Sequence, residues 1–295
     1  MRAISPFRFV LLLASFVAGL AQDLRNPRYY YPVPAASPPK ALDVDVCVYG
    51  ATPGGVTAAL QAGRMGKRAV LVEFGRHLGG MTASGLSMTD GGEPSITGGI
   101  AAEFYLRLGV RRDFRPSAAE AVFRNLLEEG RVPVLFEHRL QSVKKNQGRI
   151  AEISFENGNR VRAKMYIDAT YEGDLLAMAG VSYTIGREGK ALYGETMNGV
   201  IFGPKDNFDL ALDPYVVPGD PKSGLLPGIS EDPVGPVGSG DRRVQAYNFR
   251  MWLMRASDHA LPWPKPSGYD PSRYALVLRY LAAGNRHMEL HEGDN

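Results

Sequence analysis

The stretch DVCVYGATPGGVTAAL, residues 45–60, decides the fold of this chain. A β-rich apolar run from Val44 to Tyr49 leads into a glycine turn at 50–55. Small residues then line one face of a helical pattern, which suits close packing on a sheet. A second apolar run, AVLVE at 69–73, follows shortly after Gly66. The pattern predicts a β-α-β unit with a short first connection.

The glycine turn resembles the dinucleotide-binding fingerprint G-x-G-x-x-G. Gly50 and Gly55 occupy its first and third glycine positions, whereas Thr52 stands at the second. Gly50 permits the tight turn, and Gly55 permits close packing of the helix on the strand. The helix that starts near Pro53 offers N–H groups and a positive dipole end to a pyrophosphate. Because Thr52 would crowd that group, Gly54 is expected to provide the close approach.

Glu73 ends the second strand, where a carboxylate can accept both hydroxyls of an adenosine ribose and disfavours a 2′-phosphate. This motif alone leaves open the alternative of a β-α-β unit that binds no cofactor. The segment RHLGGMT at 76–82 follows almost at once. Arg76 can reach a pyrophosphate, and the paired glycines Gly79 and Gly80 let the backbone pass close to a cofactor. The alternative is a generic glycine loop.

Two helical patterns come next, at about 99–108 and 117–129, and a meander follows them. In the second pattern, Glu120 lies three residues after Ser117, which is the spacing of a capping box. Residues 132–137 form a third core strand in this prediction. Alternating segments near 139–145, 149–155 and 159–164 come next, separated by turn residues, and MYIDAT at 165–170 returns to the main sheet. We expect an α/β fold, with a Rossmann-like parallel sheet and an antiparallel three-stranded crossover.

The return strand ends in small and acidic residues. Ala169 and Thr170 allow a close backbone approach, and Asp168 or Asp174 can bond a cofactor or loop amides. The alternative for the two carboxylates is capping of a helix that starts near Gly173.

Taken in order, these segments resemble the secreted or periplasmic branch of the FAD-dependent oxidoreductase family, sometimes labelled xanthan-lyase-like. The resemblance runs from Asp45 to Met254 and includes GRHLGGMTASGLSMTD, MYIDATYEGDLLAMAGVSYTIGRE and VQAYNFRMWLM. It implies a glutathione-reductase-like flavin fold with non-covalent FAD, adenosine at 50–73 and isoalloxazine near 79–84. One departure is YEGD at 171–174, where many relatives carry Gly-Asp-Gly-Asp.

The residues that we expect to hold FAD come from these turns and strand ends. They are Gly50, Thr52, Pro53, Gly54, Gly55, Glu73, Arg76, Gly79, Gly80, Met81, Thr82, Val134, Ala169, Thr170 and Asp174.

The resemblance implies hydride transfer from an unidentified small-molecule or carbohydrate-derived substrate to flavin N5, followed by reoxidation by an unknown electron acceptor. Asn248 and Arg250, which alternate with aromatic residues, are weak candidates for catalysis. Two alternatives stay open: a truncated flavin-fold fragment without catalytic activity, and a polysaccharide lyase-like protein. The histidine spacings predict no metal site.

Composition and charge along the chain predict its domain organisation. A basic start, an apolar run of 12 residues and a small-x-small pattern predict a signal peptide at 1–21, and therefore export. This run is too short to span a bilayer. A Pro- and Tyr-rich linker at 22–41 precedes a FAD-binding domain at 42–185 and a partial, loop-rich α+β substrate domain at 186–295. Lysine and arginine form no aromatic-interleaved cluster, which argues against nucleic acid as a partner.

Overall fold

A computed structural model describes residues 31–88, 93–202, 210–245 and 265–284. The chain divides into two compact units, Met1–Pro32 with Leu261–Pro271, and Val33–Ala260 with Ser272–Asn295. In the described part of the smaller unit, the Lys265 ammonium lies 4.6 Å from the centroid of the Tyr269 ring. The larger unit contains the sheet and the candidate site.

Six strands form one mixed sheet in the order β3-β2-β1-β6-β5-β4. The strands are β1 (Ala41–Tyr49), β2 (Ala69–Val72), β3 (Val134–Leu135), β4 (Leu140–Asn146), β5 (Arg149–Phe155) and β6 (Arg160–Asp168). The strands β3, β2, β1 and β6 are parallel, whereas β4, β5 and β6 are joined by antiparallel pairings. The predicted Rossmann-like sheet with an antiparallel crossover is confirmed.

One detail of the crossover differs from the prediction. The segments at 159–164 and 165–170, expected as two strands, are largely one continuous strand, β6. Its residues pair in register with β1 from Ala41↔Arg160 to Tyr49↔Asp168. A turn at 157–159 separates β5 from β6, with Gly158 at φ +88°, but no turn residue interrupts 160–168. The last strand of the crossover therefore also returns the chain to the parallel sheet.

The helices predicted near Pro53, at 99–108, at 117–129 and near Gly173 lie close to their predicted positions, whereas the short helix at 190–193 was not predicted. The helices are α1 (Pro53–Arg64), α2 (Gly99–Leu108), α3 (Pro116–Glu129), α4 (Asp174–Met178), α5 (Lys190–Tyr193) and α6 (Ala275–Ala282). Shorter turns are a π-helical turn at Thr82–Leu86 and 3-10 turns at Pro94–Ile96, Pro221–Ser223 and Pro271–Tyr274. Among the described residues, no helix has the length and apolarity that a membrane span requires.

Alternating residues of β1 enter two apolar clusters. Val48 packs in one cluster with Leu60 of α1 and Leu126 of α3, while Cys47 packs in the other with Phe155 of β5. Burial raises the pKa of the Cys47 thiol to about 12, so this residue behaves as a small buried hydrophobe. Packing of β1 within both clusters fixes the position of the loop at its carboxyl end.

Loops dominate the described residues from 186 to 245. Arg187 and Asp241 exchange backbone hydrogen bonds of 2.8 and 3.0 Å and also form a side-chain ion pair. Arg279 of α6 donates to the carbonyl oxygens of Asp213 and Tyr215, at 2.8 and 2.6 Å. Side-chain and backbone hydrogen bonds thus hold a region that has little regular structure.

Candidate cofactor site

Three loops leave the same edge of the sheet. The parallel strands β1, β2 and β6 end at Tyr49, Val72 and Asp168. The loops at 50–52 and 73–81 follow the first two strands, and residues 169–173 follow β6. In open parallel sheets, ligands bind in the crevice at the carboxyl ends of the strands, so this edge is the candidate site.

The first loop requires glycine at two positions. Gly50 has φ +101°, and a Cβ atom there would lie 2.7 Å from the Thr170 backbone nitrogen. A Cβ atom at Gly55 would collide with the carbonyl oxygen of Gly50. The turn is therefore packed against both its own helix and the end of β6, as the fingerprint predicts for these two glycines.

Gly54 and Thr52 explain how the turn works without its middle glycine. The Thr52 hydroxyl donates to the Ala169 carbonyl oxygen at 2.7 Å and accepts from the Gly55 nitrogen at 3.2 Å. It thereby caps α1, which begins with Pro53. Gly54 is exposed, and a Cβ atom there would meet only Thr52 Oγ1, at 3.7 Å. The N-terminus of α1 thus has an open surface that fits a pyrophosphate.

Glu73 stabilises the turn at 50–55 through hydrogen bonds. Its Oε2 accepts from the Ala51 nitrogen at 2.8 Å, and its Oε1 accepts from the Gly75 nitrogen at 2.7 Å. Burial raises the pKa of Glu73, against the lowering effect of these hydrogen bonds. A carboxylate has about four acceptor sites, so the loop amides leave acceptor capacity for a ribose hydroxyl.

The second loop is tied to the first loop and to α3. The Gly79 nitrogen donates to the Ala51 carbonyl oxygen at 2.7 Å, and a Cβ atom at Gly79 would lie 2.6 Å from the Phe123 ring. Arg76 Nε donates to Glu137 Oε1 at 2.6 Å. The ion pair holds this guanidinium beside the loop, and its contact with a pyrophosphate stays a prediction.

Tyr171 links the second loop to the third. The Met81 nitrogen, one residue before the π-helical turn that starts at Thr82, donates to the Tyr171 hydroxyl at 2.8 Å. A Cβ atom at Gly80 would collide with the same hydroxyl. Glycine at position 80 therefore accommodates the Tyr171 side chain.

Asp168 caps α4. Its Oδ1 accepts from the Thr170 nitrogen and hydroxyl at 2.9 and 2.7 Å, and its Oδ2 accepts from the Leu176 nitrogen at 2.7 Å. Thr170 Oγ1 in turn accepts from the Asp174 nitrogen at 3.0 Å. Asp168 therefore bonds a loop amide, as expected, and also caps the helix. Desolvation, with repulsion from Asp168 and Glu172, raises the pKa of Asp174.

One expected residue lies on a strand beside the three loops, and two fall outside the described residues. Val134 lies on β3, paired with Leu71 of β2. Asn248 and Arg250 fall outside the described residues. In the part of the chain that the structure describes, no group of three histidine, cysteine, aspartate or glutamate residues could hold a metal ion.

Glu120 has a role that the sequence analysis missed. The expected capping box is wrong, because α3 starts at Pro116 and has no side-chain cap. Glu120 Oε1 instead accepts from the Leu78 nitrogen at 3.3 Å, and Oε2 pairs with His77 Nδ1 at 3.0 Å. Glu120 thereby holds the second loop from α3.

Residues 45–294 match the sequence profile of a family described as FAD dependent oxidoreductase. The chain belongs to this family. The open N-terminus of α1, and the Glu73 carboxylate bonded to the same turn, agree with the family's cofactor, since a dinucleotide presents a pyrophosphate and a ribose to these two groups.

Three solved structures illustrate the partial similarity of this family member to known proteins. One is a geranylgeranyl bacteriochlorophyll reductase-like protein from Thermoplasma acidophilum, at 22% identity over 48% of this chain and 42% of that chain, with a TM-score of 0.34. Another is L-proline dehydrogenase from P. horikoshii, at 13% identity over 51% and 59%, with a TM-score of 0.39. A third is thioredoxin reductase from Streptococcus pyogenes, at 22% over 43% and 35%, with a TM-score of 0.33.

The chain spans less than two thirds of the length of each of these proteins. No curated protein matches the chain.

Proposed function

We propose that this protein is an exported oxidoreductase that uses FAD to oxidise a small organic or carbohydrate-derived substrate and passes the electrons to a separate acceptor. The observation that carries the proposal is the pairing of an open helix N-terminus at Gly54 with the buried carboxylate of Glu73. These are the two contacts that the pyrophosphate and the adenosine ribose of a dinucleotide need.

The residues divide between the two halves of the cofactor. Gly54 would hold the pyrophosphate through its backbone N–H group. Gly55, whose N–H donates to Thr52 Oγ1, would let the helix pack closely beneath it, and Glu73 would accept from the ribose hydroxyls. The backbone at Val134 would border the adenine, because β3 lies beside β2 at this edge. When bound, FAD supplies a two-electron acceptor, so the protein's own task is to position the substrate and exclude water.

The flavin half is assigned to the second and third loops. Their members in this proposal are Arg76, Gly79, Gly80, Met81, Thr82, Ala169, Thr170 and Asp174. The Tyr171 hydroxyl links the second loop to the third, and the Gly79–Ala51 hydrogen bond links the second loop to the first. These links support a single preorganised binding surface. Residues 186–295 are proposed to contribute the substrate side, with Asn248 and Arg250 as the candidates for catalysis.

A visible absorption spectrum of the purified protein tests the proposal. We expect a yellow protein, or one that turns yellow when FAD is added, and loss of the flavin band under anaerobic conditions with one member of a panel of alcohols, amines and uronic acid-containing sugars. Absence of FAD binding would contradict the proposal. Alanine variants of Asn248 and Arg250 should slow the bleaching without changing the oxidised spectrum.

Two other outcomes correspond to the alternative functions. A yellow protein whose flavin is bleached by dithionite but by no organic substrate would indicate a flavin-binding fragment without catalytic activity. Formation of an unsaturated sugar product at constant flavin absorbance would indicate a lyase. Measuring product and absorbance in the same cuvette separates these outcomes from oxidation.

Export is a separate part of the proposal. The basic and apolar start of the chain supports cleavage after Ala21. N-terminal sequencing of protein recovered outside the cytoplasm should begin at Gln22. Recovery of the uncleaved chain in the cytoplasm alone would contradict export and leave the FAD proposal unaffected.

A further inference from the structure

His138 lies between β3 and β4, and only 8% of it is exposed. The Phe155 ring packs edge-on against it, with the ring centroids 5.0 Å apart. Its Nδ1 lies 2.6 Å from the Phe136 carbonyl oxygen, and its Nε2 lies 2.9 Å from Asn159 Nδ2. Both ring nitrogens of this buried histidine are therefore engaged by neighbouring groups.

These two hydrogen bonds require the neutral ring. The Phe136 carbonyl oxygen can only accept, so Nδ1 carries the proton, and Nε2 of the neutral ring is then an acceptor for Asn159 Nδ2. The orientation of the Asn159 amide is fixed as well, because its Oδ1 accepts from the Lys40 backbone nitrogen at 2.8 Å.

A protonated His138 ring has no compatible arrangement at this position. A proton on Nε2 would face Asn159 Nδ2, which is also a donor. Turning the Asn159 amide over would place its NH₂ group against the N–H group of Lys40 instead. One of the two hydrogen bonds is therefore lost when the ring becomes charged, and a buried donor without an acceptor costs free energy.

The turn at 157–159, which contains Asn159, holds the chain that precedes β1. The Asn157 carbonyl oxygen accepts from the Ala36 nitrogen at 2.8 Å, and Asn157 Nδ2 donates to the Glu137 carbonyl oxygen at 3.4 Å. The turn therefore connects the segment before β1 with the segment that contains His138.

The segment at 136–138 also lies beside the candidate cofactor site. The His138 nitrogen donates to the Glu73 carbonyl oxygen at 3.0 Å, and the Glu137 nitrogen donates to the Gly75 carbonyl oxygen at 2.9 Å. His138 thus joins the turn at 157–159 to the strand end that carries the Glu73 carboxylate.

Burial lowers the pKa of His138, against the raising effects of its hydrogen bond to Phe136 and of the Glu137 charge. Because this pKa lies below the ordinary value of 6.5, the stability that the neutral ring provides is complete above about pH 6.5 and is lost as the pH falls. The charged residues of the segments packed around His138 are Lys40, Glu73, Arg76, Glu137, Arg139 and Glu156.

We propose that His138 and Asn159 form a pH-sensitive switch. The neutral His138 ring holds the turn at 157–159 and the chain at Lys40, and the protonated ring releases them. Release removes support from the strand end that carries Glu73, so acid also weakens FAD binding. This last step rests on the proposed function, whereas the release itself does not.

Hydrogen exchange at the Lys40 amide tests the release in protein without added FAD. The two preceding residues are prolines, which carry no amide proton, so this amide is resolved from its neighbours. After correction for intrinsic exchange, its protection should fall up to about tenfold between about pH 7 and about pH 5.5, because opening binds one proton in this range.

Asn159→Asp is the decisive variant, because it should abolish or reverse this fall. One carboxylate oxygen still accepts from Lys40, and the other accepts from a protonated His138 Nε2. Asn146→Asp, at an exposed position at the end of β4, adds the same charge away from the switch and should match wild type. His138→Phe cannot titrate, so its Lys40 protection should be the same at both pH values.

Titration with FAD at the same two pH values tests the link to the cofactor. Acid should weaken FAD binding more in wild type than in His138→Phe, by up to about tenfold, since both proteins retain Glu73. Wild-type protection at Lys40 that is equal at both pH values, or an equal fall in Asn159→Asp, would overturn the switch. An equal acid-induced loss of FAD affinity in wild type and His138→Phe would overturn its link to the cofactor. Wild-type protein that binds no FAD would contradict the proposed function and that link, while exchange at Lys40 would still decide the switch.

Discussion

Replacing Gly54 by alanine should separate cofactor binding from folding. The added Cβ atom meets only Thr52 Oγ1, at 3.7 Å, so the folded protein accommodates it. Gly54 lies in the first turn of α1, and alanine there restricts the unfolded chain more than glycine does. We expect the free energy of unfolding of the apoprotein to stay the same or rise by about 0.5 to 1 kcal/mol.

The same Cβ atom occupies the surface that is assigned to the pyrophosphate. FAD should therefore bind at least about tenfold more weakly, which corresponds to about 1.4 kcal/mol. Gly55→Ala is the matched comparison, because its Cβ atom would collide with the Gly50 carbonyl oxygen. This overpacking should destabilise the apoprotein by about 1 to 3 kcal/mol.

Urea denaturation of the apoproteins and equilibrium titration with FAD measure the two effects. The expected pattern is loss of affinity without loss of stability in Gly54→Ala, and loss of stability in Gly55→Ala. FAD binding to Gly54→Ala with wild-type affinity would refute the assignment of the pyrophosphate to this helix N-terminus.

Two further substitutions test the contacts around the site. Asp168→Ala removes the acceptor for Thr170 and Leu176 and should lower the free energy of unfolding by about 2 kcal/mol in urea denaturation; an unchanged midpoint would contradict the capping role. Tyr171→Phe removes the acceptor for the Met81 amide, so hydrogen exchange at that amide should become faster, and unchanged exchange would count against the link.

Asp45 provides the pH-dependent prediction. Hydrogen bonds from Lys164 and from the Arg68 amide lower its pKa from 3.8 to about 2, so its stabilising contribution is present above pH 3.8 and is lost as the pH falls towards 2. Asp45→Asn should therefore reduce stability at pH 5 and lose that difference near pH 2, measured by thermal unfolding across this range. A difference that is independent of pH would contradict the ionic role.

The sequence was sufficient for the parts of the site that depend on local geometry. Gly50 and Gly55 were predictable because a strand, a tight turn and a closely packed helix impose specific steric limits on them. Glu73 was predictable because the end of the second strand lies beside the turn in every β-α-β unit of this kind. The Thr52 cap was not foreseen, since its acceptor is the carbonyl oxygen of Ala169, far along the chain.

Contacts between distant segments account for the remaining differences. Glu120 and Tyr171 reach the second loop from α3 and from the end of β6, and neither contact leaves a periodic signal in the sequence. The single long strand β6 was divided in the prediction because its middle lacks a clear alternation of apolar and polar residues, while its pairing with β1 determines its true length.

The most direct test of the account compares FAD with FMN as ligands of the purified apoprotein. The adenosine and pyrophosphate contacts at Gly54 and Glu73 are central to the account, and FMN lacks the adenosine half. FAD should therefore raise the melting temperature of the apoprotein through linkage, and FMN at the same concentration should raise it far less. Equal stabilisation by FMN and FAD, or none by FAD, would contradict the dinucleotide site.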